Sequence, residues 1–105
     1  MNPLTSIFEP EGIIDSVGGS QIRRDVSDKL NEGIENILLD LIKVTFMDSS
    51  GLGAMVATLQ AVRAKGAKLY LCGLNDQVKI ILELTKMDKV FVVLADRDAF
   101  EKAIA

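Results

Sequence analysis

The sequence contains no histidine and no tryptophan, and only one cysteine among its 105 residues. Without histidine there is no imidazole for general acid–base catalysis, for activating a serine nucleophile or for binding most transition metals. Cys72 alone cannot form an intramolecular disulfide or a cysteine-rich metal site, and its place in the apolar run Leu69–Cys72 predicts a buried, inert thiol. We therefore expect a protein that is not an enzyme, with no catalytic residues, no metal and no cofactor.

Positive charge is also in short supply. The chain has 12 Lys and Arg against 15 Asp and Glu, a formal net charge of −3. Binding to a phosphate backbone needs a cationic face, whereas the pair Arg23-Arg24 is followed by Asp25 and Asp28. The chain shows no secretory-signal pattern and no apolar run near the roughly 20 residues that span a bilayer. We expect a cytoplasmic protein that binds neither nucleic acid nor membrane.

The composition that remains is that of one folded domain over residues 1–105, since 49% of the residues are apolar and 26% are charged. Short strand-like runs alternate with helical patterns. The runs that predict strands are Ile37–Leu41, Lys68–Cys72 and Val90–Leu94, with a short strand or hairpin across Ser6–Phe8 and Ile13-Ile14. This alternation predicts an α/β fold with right-handed crossovers.

Capping residues and glycines mark the helices. Gly18-Gly19-Ser20 predicts a loop that ends in an N-cap, followed by a helix that stops near Gly33. A second helix is predicted to end at Lys65-Gly66, where a cation and a glycine follow the apolar stripe. Asn75-Asp76 and Asp96 predict the starts of a third and a last helix.

The segment Asp48–Gly53, Asp-Ser-Ser-Gly-Leu-Gly, lies where a strand turns into the second helix. Asp and Ser oxygens accept hydrogen bonds from free amides of a first helical turn. Gly51 and Gly53 let the backbone turn tightly and let another surface come close, and the place of Gly53 inside the helix predicts close packing. The positive potential of a helix start favours a negative group there. Taken alone, so short a segment is more typical of an ordinary cap than of a regulatory site.

A longer pattern resembles the STAS family, specifically the bacterial anti-sigma factor antagonists. Val44–Gly53 is similar to the family's Asp-Ser-[Ser/Thr]-Gly-Leu-Gly segment and its preceding strand. Gly12–Asp15 looks like the family's Gly-Glu-Leu-Asp segment, and Gly66–Leu74 like its glycine-led strand. The N-terminal part is short for the family, with room for one clear strand before Gly12. The resemblance implies a single STAS-like domain, with a mixed β-sheet of about four strands and about four helices packed mainly on one face.

The resemblance also implies a regulatory mechanism. Ser49 would be the phosphorylated residue, with Ser50 as the alternative acceptor. The unphosphorylated protein would bind an anti-sigma factor that is itself a serine kinase, freeing the sigma factor, and phosphorylation would switch that binding off. A PP2C-type phosphatase would reverse the modification. The residues implied in partner binding are Asp15, Asp48, Ser49, Ser50, Gly51, Leu52 and Gly53.

Three other functions stay open. A STAS scaffold component of another signalling assembly, anion transporter or lipid-transport complex would keep the fold. A receiver-like phosphoacceptor domain needs an acidic pair after the first strand and a lysine after a late strand, but Ala95-Asp96 follows the last predicted strand. A nucleotide-binding enzyme is disfavoured because the sequence has no G-x-G-x-x-G or Walker lysine pattern.

Overall fold

The computed structural model describes residues 4–105, so residues 1–3 of the predicted domain lie outside the described residues. Strands and helices alternate along this part of the chain, and the predicted α/β class is confirmed. The strands are β1 (Thr5–Phe8), β2 (Gly12–Ile14), β3 (Asn36–Asp40), β4 (Val44–Met47), β5 (Lys68–Cys72) and β6 (Val92–Val93). The helices are α1 (Ser16–Asn31), α2 (Ser49–Ala64), α3 (Asp76–Leu84) and α4 (Arg97–Ile104), with a 3₁₀ turn at Met87–Lys89.

The strands form a four-stranded sheet in the order β1-β3-β5-β6 and a separate two-stranded ladder of β2 and β4. Every strand pairing within residues 4–105 is parallel, so the expectation of a mixed sheet is corrected. The helical connections return the chain to the same end of the sheet, which favours parallel neighbours.

The predicted hairpin of β1 and β2 is also wrong. Thr5 pairs with Asn36 in β3, whereas Ile14 pairs with Met47 in β4. The short link between the first two strands therefore carries the chain from one ladder to the other. One strand does precede Gly12, as the sequence indicated.

Alternate side chains of the central strands face two apolar layers. Ile37 and Leu39 of β3 belong to the larger core, together with buried residues of α1, α2 and α3. Leu38 of β3 and Tyr70 of β5 face the other way and pack with Phe100 of α4. The rings of Tyr70 and Phe100 lie edge to face, with centroids 5.2 Å apart. The expectation that the helices pack mainly on one face is confirmed.

Helix α1 begins earlier than predicted. It starts at Ser16, and Gly18 and Gly19, expected in a loop, lie in its first turns. Gly19 is buried against α2, where a Cβ on it would lie 2.5 Å from the Cβ of Ala54. Gly19 therefore allows α1 and α2 to pack closely, and the glycine pair does not mark a loop.

Most other predicted boundaries are confirmed. Strand β5 matches its prediction, α2 ends before Lys65-Gly66, and α3 and α4 follow Asn75 and Asp96. The run Val90–Leu94 contributes only the two residues of β6, because a 3₁₀ turn precedes it. Within residues 4–105, none of the helices combines the length and the apolar character needed to cross a bilayer.

Candidate functional site

The first turn of α2 holds the predicted serine pair. Asp48, in extended conformation, is the N-cap, and its Oδ1 accepts a hydrogen bond from the Gly51 N–H at 2.7 Å. Ser49 and Ser50 are the first two residues of the helix, and both are exposed. The turn therefore presents two hydroxyls to solvent beside the positive end of a 16-residue helix.

Asp15 lies beside this turn. Strands β2 and β4 are parallel neighbours with Ile14 opposite Met47, and each strand is followed by an aspartate that caps the next helix. The Oδ1 of Asp15 accepts from the Gly18 N–H at 2.8 Å, and the Asp48 N–H donates to the Ile14 carbonyl at 3.2 Å. The structure thus places Asp15 at the same end of this ladder as Asp48, and both residues are only partly buried.

Gly51 and Leu52, unlike the two serines, are buried. A Cβ on Gly51 would lie 1.9 Å from the Ile14 carbonyl oxygen, so glycine is required for α2 to begin against the end of β2. Leu52 is only 5% exposed and belongs to the main core. These two residues fix the turn from inside, and the Leu52 side chain offers almost no surface to a partner.

The close packing predicted at Gly53 is not found within the domain. A Cβ on it would meet nothing within 4 Å, and the residue is exposed. A glycine inside an exposed helix destabilises it by about 1 kcal/mol relative to alanine. Gly53 lies four residues after Ser49 and three after Ser50, and therefore on the same side of the helix. The helix face that carries the serines is thus bare at Gly53.

A mostly apolar groove of about 550 Å³ borders Ser49 between β4 and α3. Its exposed apolar walls are Phe46, Ile80 and Leu84, with 44%, 53% and 79% of their surface accessible. Sequence reasoning missed this groove, because the strand and helix that form it are separated by about 30 residues along the chain, a separation that helical and strand periodicities do not report. The one local sign of this groove in the sequence is the spacing of Ile80 and Leu84, which places both apolar side chains on the same face of α3.

A second polar cluster lies at the carboxyl ends of β1 and β3. The Arg97 Nε donates to Asp40 Oδ2 at 2.6 Å, and Arg97 also pairs with Glu9, which in turn pairs with Lys43 at 2.9 Å. Burial opposes ionisation of Asp40, but the hydrogen bond from Arg97 and the Ile42 N–H outweigh it and lower the pKa of Asp40. This cluster ties α4 to the sheet.

Cys72 is buried, as predicted, and burial followed by the charge of Asp40 raises its pKa to about 11. At neutral pH the thiol is therefore protonated and a poor nucleophile. Within the part of the chain that the structure describes, no group of three or more His, Cys, Asp or Glu side chains is placed to hold a metal ion.

A model of the STAS domain matches residues 2–101. BtrV of Bordetella bronchiseptica, assigned to the anti-sigma factor antagonists, is 24% identical over 89 residues, which cover 85% of this chain and 77% of that protein. The anti-sigma-B factor antagonist of Staphylococcus aureus is 37% identical over 54 residues, 51% of this chain and 50% of that protein. The match thus spans about half of the staphylococcal relative.

Solved structures share the fold. A Thermotoga maritima protein, also assigned to the anti-sigma factor antagonists, superposes with a TM-score of 0.85 and 25% identity, over 100% of this chain and 92% of that one. The Bacillus cell fate determinant SpoIIAA in its phosphorylated form gives 0.73 and 18% identity, over 98% and 94%. The STAS domain of a Vibrio cholerae SulP transporter gives 0.79 and 21%, over 99% and 84%. The last two likenesses show the fold alone.

Proposed function

This chain belongs to the STAS domain family, and on that basis we propose that it is an anti-sigma factor antagonist whose partner binding is switched off by phosphorylation of Ser49. The observation that carries the proposal is the exposed serine at the first position of α2, directly after the capping Asp48. Similar proteins named as anti-sigma factor antagonists support the same role.

The proposed docking surface is the exposed side of the α2 start. It combines Ser49, Ser50 and Gly53 with the two capping carboxylates of Asp15 and Asp48. The bare helix face at Gly53 allows a partner backbone to approach closely. This would explain the glycine, since no contact within the described domain requires one at this position. Gly51 and Leu52 hold this surface in shape from inside.

Phosphorylation would change this surface by charge and volume. A phosphoserine carries about −1.5 to −2 charge at neutral pH. In the free protein the helix-start amides stabilise that charge. In a complex, the same phosphate would lose its water beside the carboxylates of Asp48 and Asp15 and at the edge of an apolar groove. Release of the partner then needs no change of fold.

The proposed partners follow from this switch. The unphosphorylated chain binds an anti-sigma factor that is a serine kinase of the histidine-kinase-like ATPase class, and the sigma factor is freed. A PP2C-type phosphatase restores the unmodified serine. The chain itself is the kinase substrate and not an enzyme, and it acts in the cytoplasm.

A receiver-like role fits the side chains less well. It would use Asp40 or Asp48 as the phosphoacceptor carboxylate. Asp40 is 6% exposed and accepts hydrogen bonds from Arg97 and the Ile42 N–H. Asp48 is engaged as a helix cap. Both carboxylates are thus committed to structural contacts, whereas the two serine side chains are exposed.

The test is site-resolved phosphorylation. The chain is incubated with Mg-ATP and an extract of its source cells, and its intact mass and modified peptide are measured. We expect one phosphoryl group on Ser49, its loss in Ser49→Ala, and its retention in the matched control Ser50→Ala. Undiminished single-site labelling of Ser49→Ala would refute the assignment. A phosphate that acetyl phosphate transfers and mild base removes would instead support an aspartyl phosphoacceptor.

A further inference from the structure

One side-chain amide connects α3 to the residue before Asp48. Gln77, the second residue of α3, accepts a hydrogen bond from the Met47 N–H with its Oε1 at 2.9 Å. Its Nε2 donates to the Met47 carbonyl at 2.7 Å. A single amide thus satisfies both backbone polar groups of Met47, as a neighbouring strand would.

The opposite edge of β4 is held by β2. Ile14 is opposite Met47 in this parallel ladder, and the Asp48 N–H donates to the Ile14 carbonyl. The backbone that leads into Ser49 is therefore held from both sides: by a strand on one side and by the Gln77 amide on the other. Strand β4 has only four residues, and its last residue, Met47, directly precedes Asp48, the N-cap of α2.

We propose that Gln77 is a positioning residue for the Ser49 phosphoacceptor. Through Met47 it fixes the Asp48–Ser49 turn, so that the hydroxyl meets the kinase in one geometry. This inference rests on the proposed function and adds a residue of α3 to it. The groove next to Ser49 is partly lined by Gln77, so the clamp lies inside the surface that borders the serine.

A second α3-side contact supplies the matched control. Asn75 caps α3 by accepting from the Val78 N–H, and its Nδ2 donates to the Val44 and Thr45 carbonyls at 3.1 and 3.2 Å. Asn75 thus holds the beginning of β4, and Gln77 holds its end. Asn75→Asp and Gln77→Glu make the same chemical change, since each keeps an acceptor, removes a donor to β4 and adds a negative charge.

The position of these two residues predicts different kinetics. A misplacement of about 1 Å at a reacting group lowers a rate by up to 10²-fold. We expect Gln77→Met, which removes both hydrogen bonds without adding charge, to lower the maximal rate of Ser49 phosphorylation about tenfold or more. The half-saturating concentration of the chain should change little, because Gly53 and Asp15 of the docking surface are held by contacts that do not involve Gln77. The maximal rate of Gln77→Glu should lie between those of wild type and Gln77→Met or equal that of Gln77→Met. The maximal rate of Asn75→Asp should be close to that of wild type.

The experiment titrates each variant as substrate at a fixed amount of source-cell extract with Mg-ATP, and quantifies phosphate on Ser49. In parallel, amide hydrogen exchange of Met47 and Asp48 is measured without any kinase. The expected result is faster exchange at these amides in Gln77→Met, a lower maximal rate and an unchanged half-saturation. Stability curves fix a temperature at which all variants are folded.

The outcomes separate the two proposals. If wild type is phosphorylated on Ser49 and Gln77→Met reaches the wild-type maximal rate, the positioning role is overturned while the proposed function stands. An equal rate loss in the matched variants Asn75→Asp and Gln77→Glu would also overturn it, because the effect would then be general loosening of β4. If wild type is never phosphorylated on Ser49, both proposals fail.

Discussion

Gly51 lies so close to Ile14 that a Cβ on the glycine would come within 1.9 Å of the isoleucine carbonyl oxygen. This contact seats the start of α2 on the end of β2, and it thereby sets the position of the serine pair relative to Asp15. Gly53, two residues later in the same helix, has no neighbour within 4 Å of such a Cβ. The two glycines of one motif therefore do different things.

This difference predicts opposite effects of the same substitution. Gly51→Ala forces the end of β2 away from α2 and should lower the free energy of unfolding by about 3 kcal/mol. Gly53→Ala adds a methyl group in open space and should raise it by up to about 1 kcal/mol, since alanine favours the helix. Urea denaturation at pH 7 measures both values. Equal effects of the two substitutions would contradict the packing described for Gly51.

The exposed face at Gly53 predicts a separation between stability and binding. Gly53→Gln should leave the fold at least as stable as wild type, because glutamine is a better helix former than glycine. It should weaken binding to the anti-sigma partner at least tenfold, because a long side chain fills the space for the partner backbone. Calorimetric titration measures the affinity. Gln60→Ala, a change at an exposed position further along α2, is the control and should bind as wild type does.

The charge of Asp48 is predicted to strengthen the switch. Asp48→Asn keeps a side-chain oxygen that accepts a hydrogen bond from the Gly51 N–H, so its free energy of unfolding should change little. Asp48→Ala removes the cap and should lower the free energy of unfolding by about 1 kcal/mol. If repulsion beside the phosphate contributes to release, Asp48→Asn should show a smaller drop in partner affinity on phosphorylation than wild type. An unchanged drop would mean that volume and desolvation suffice.

The Asp40–Arg97 pair predicts a pH dependence of stability. Arg97 holds the pKa of Asp40 below its ordinary 3.8, so this carboxylate stabilises the fold above that pH, and its contribution is lost as the pH falls through the lowered pKa. In Arg97→Gln the buried carboxylate of Asp40 keeps the energetic cost of burial but loses the hydrogen bond from the guanidinium. The unfolding free energy at pH 7 should therefore fall by about 1–2 kcal/mol, a value that already allows for solvent screening of the partly exposed arginine.

The difference in unfolding free energy between Arg97→Gln and wild type should be largest near neutral pH, and it should narrow as the pH falls through the lowered pKa of Asp40, where the wild-type carboxylate becomes protonated. Lys102→Gln, an exposed cation of the same helix, is the control and should show no such narrowing. Thermal unfolding at several pH values checks this. A difference that stays constant with pH would show that the arginine acts through packing alone.

Much of the fold could be predicted from local signals. Asn75, Asp48 and Asp96 are good caps, and each begins a helix where the sequence placed one. The glycine pair at Gly18 and Gly19 was misread, because glycine favours loops and also permits close helix contact, and the sequence does not show that Ala54 lies opposite. The strand directions were also wrongly predicted, because strand pairing is decided by contacts between segments that are far apart in the sequence.

The site was predicted in part. The serine pair and its cap follow from a short pattern that contains its own hydrogen-bond chemistry. The burial of Leu52 could not be predicted from this short pattern, because it depends on the whole core. The clamp by Gln77 could not be predicted either, because it joins residues that are 30 apart in the sequence. A polar residue near the start of an amphipathic helix gives no signal that its side chain binds a strand.

The proposed switch is tested most sharply by comparing the affinity of the chain for its partner with and without a phosphate on Ser49. Protein that carries one phosphate on Ser49 and unmodified protein are each titrated into the purified anti-sigma kinase that we propose as the partner. We expect tight binding of the unmodified protein and at least tenfold weaker binding of the phosphorylated form, with the same circular dichroism spectrum for both. Equal affinity of the two forms would contradict it.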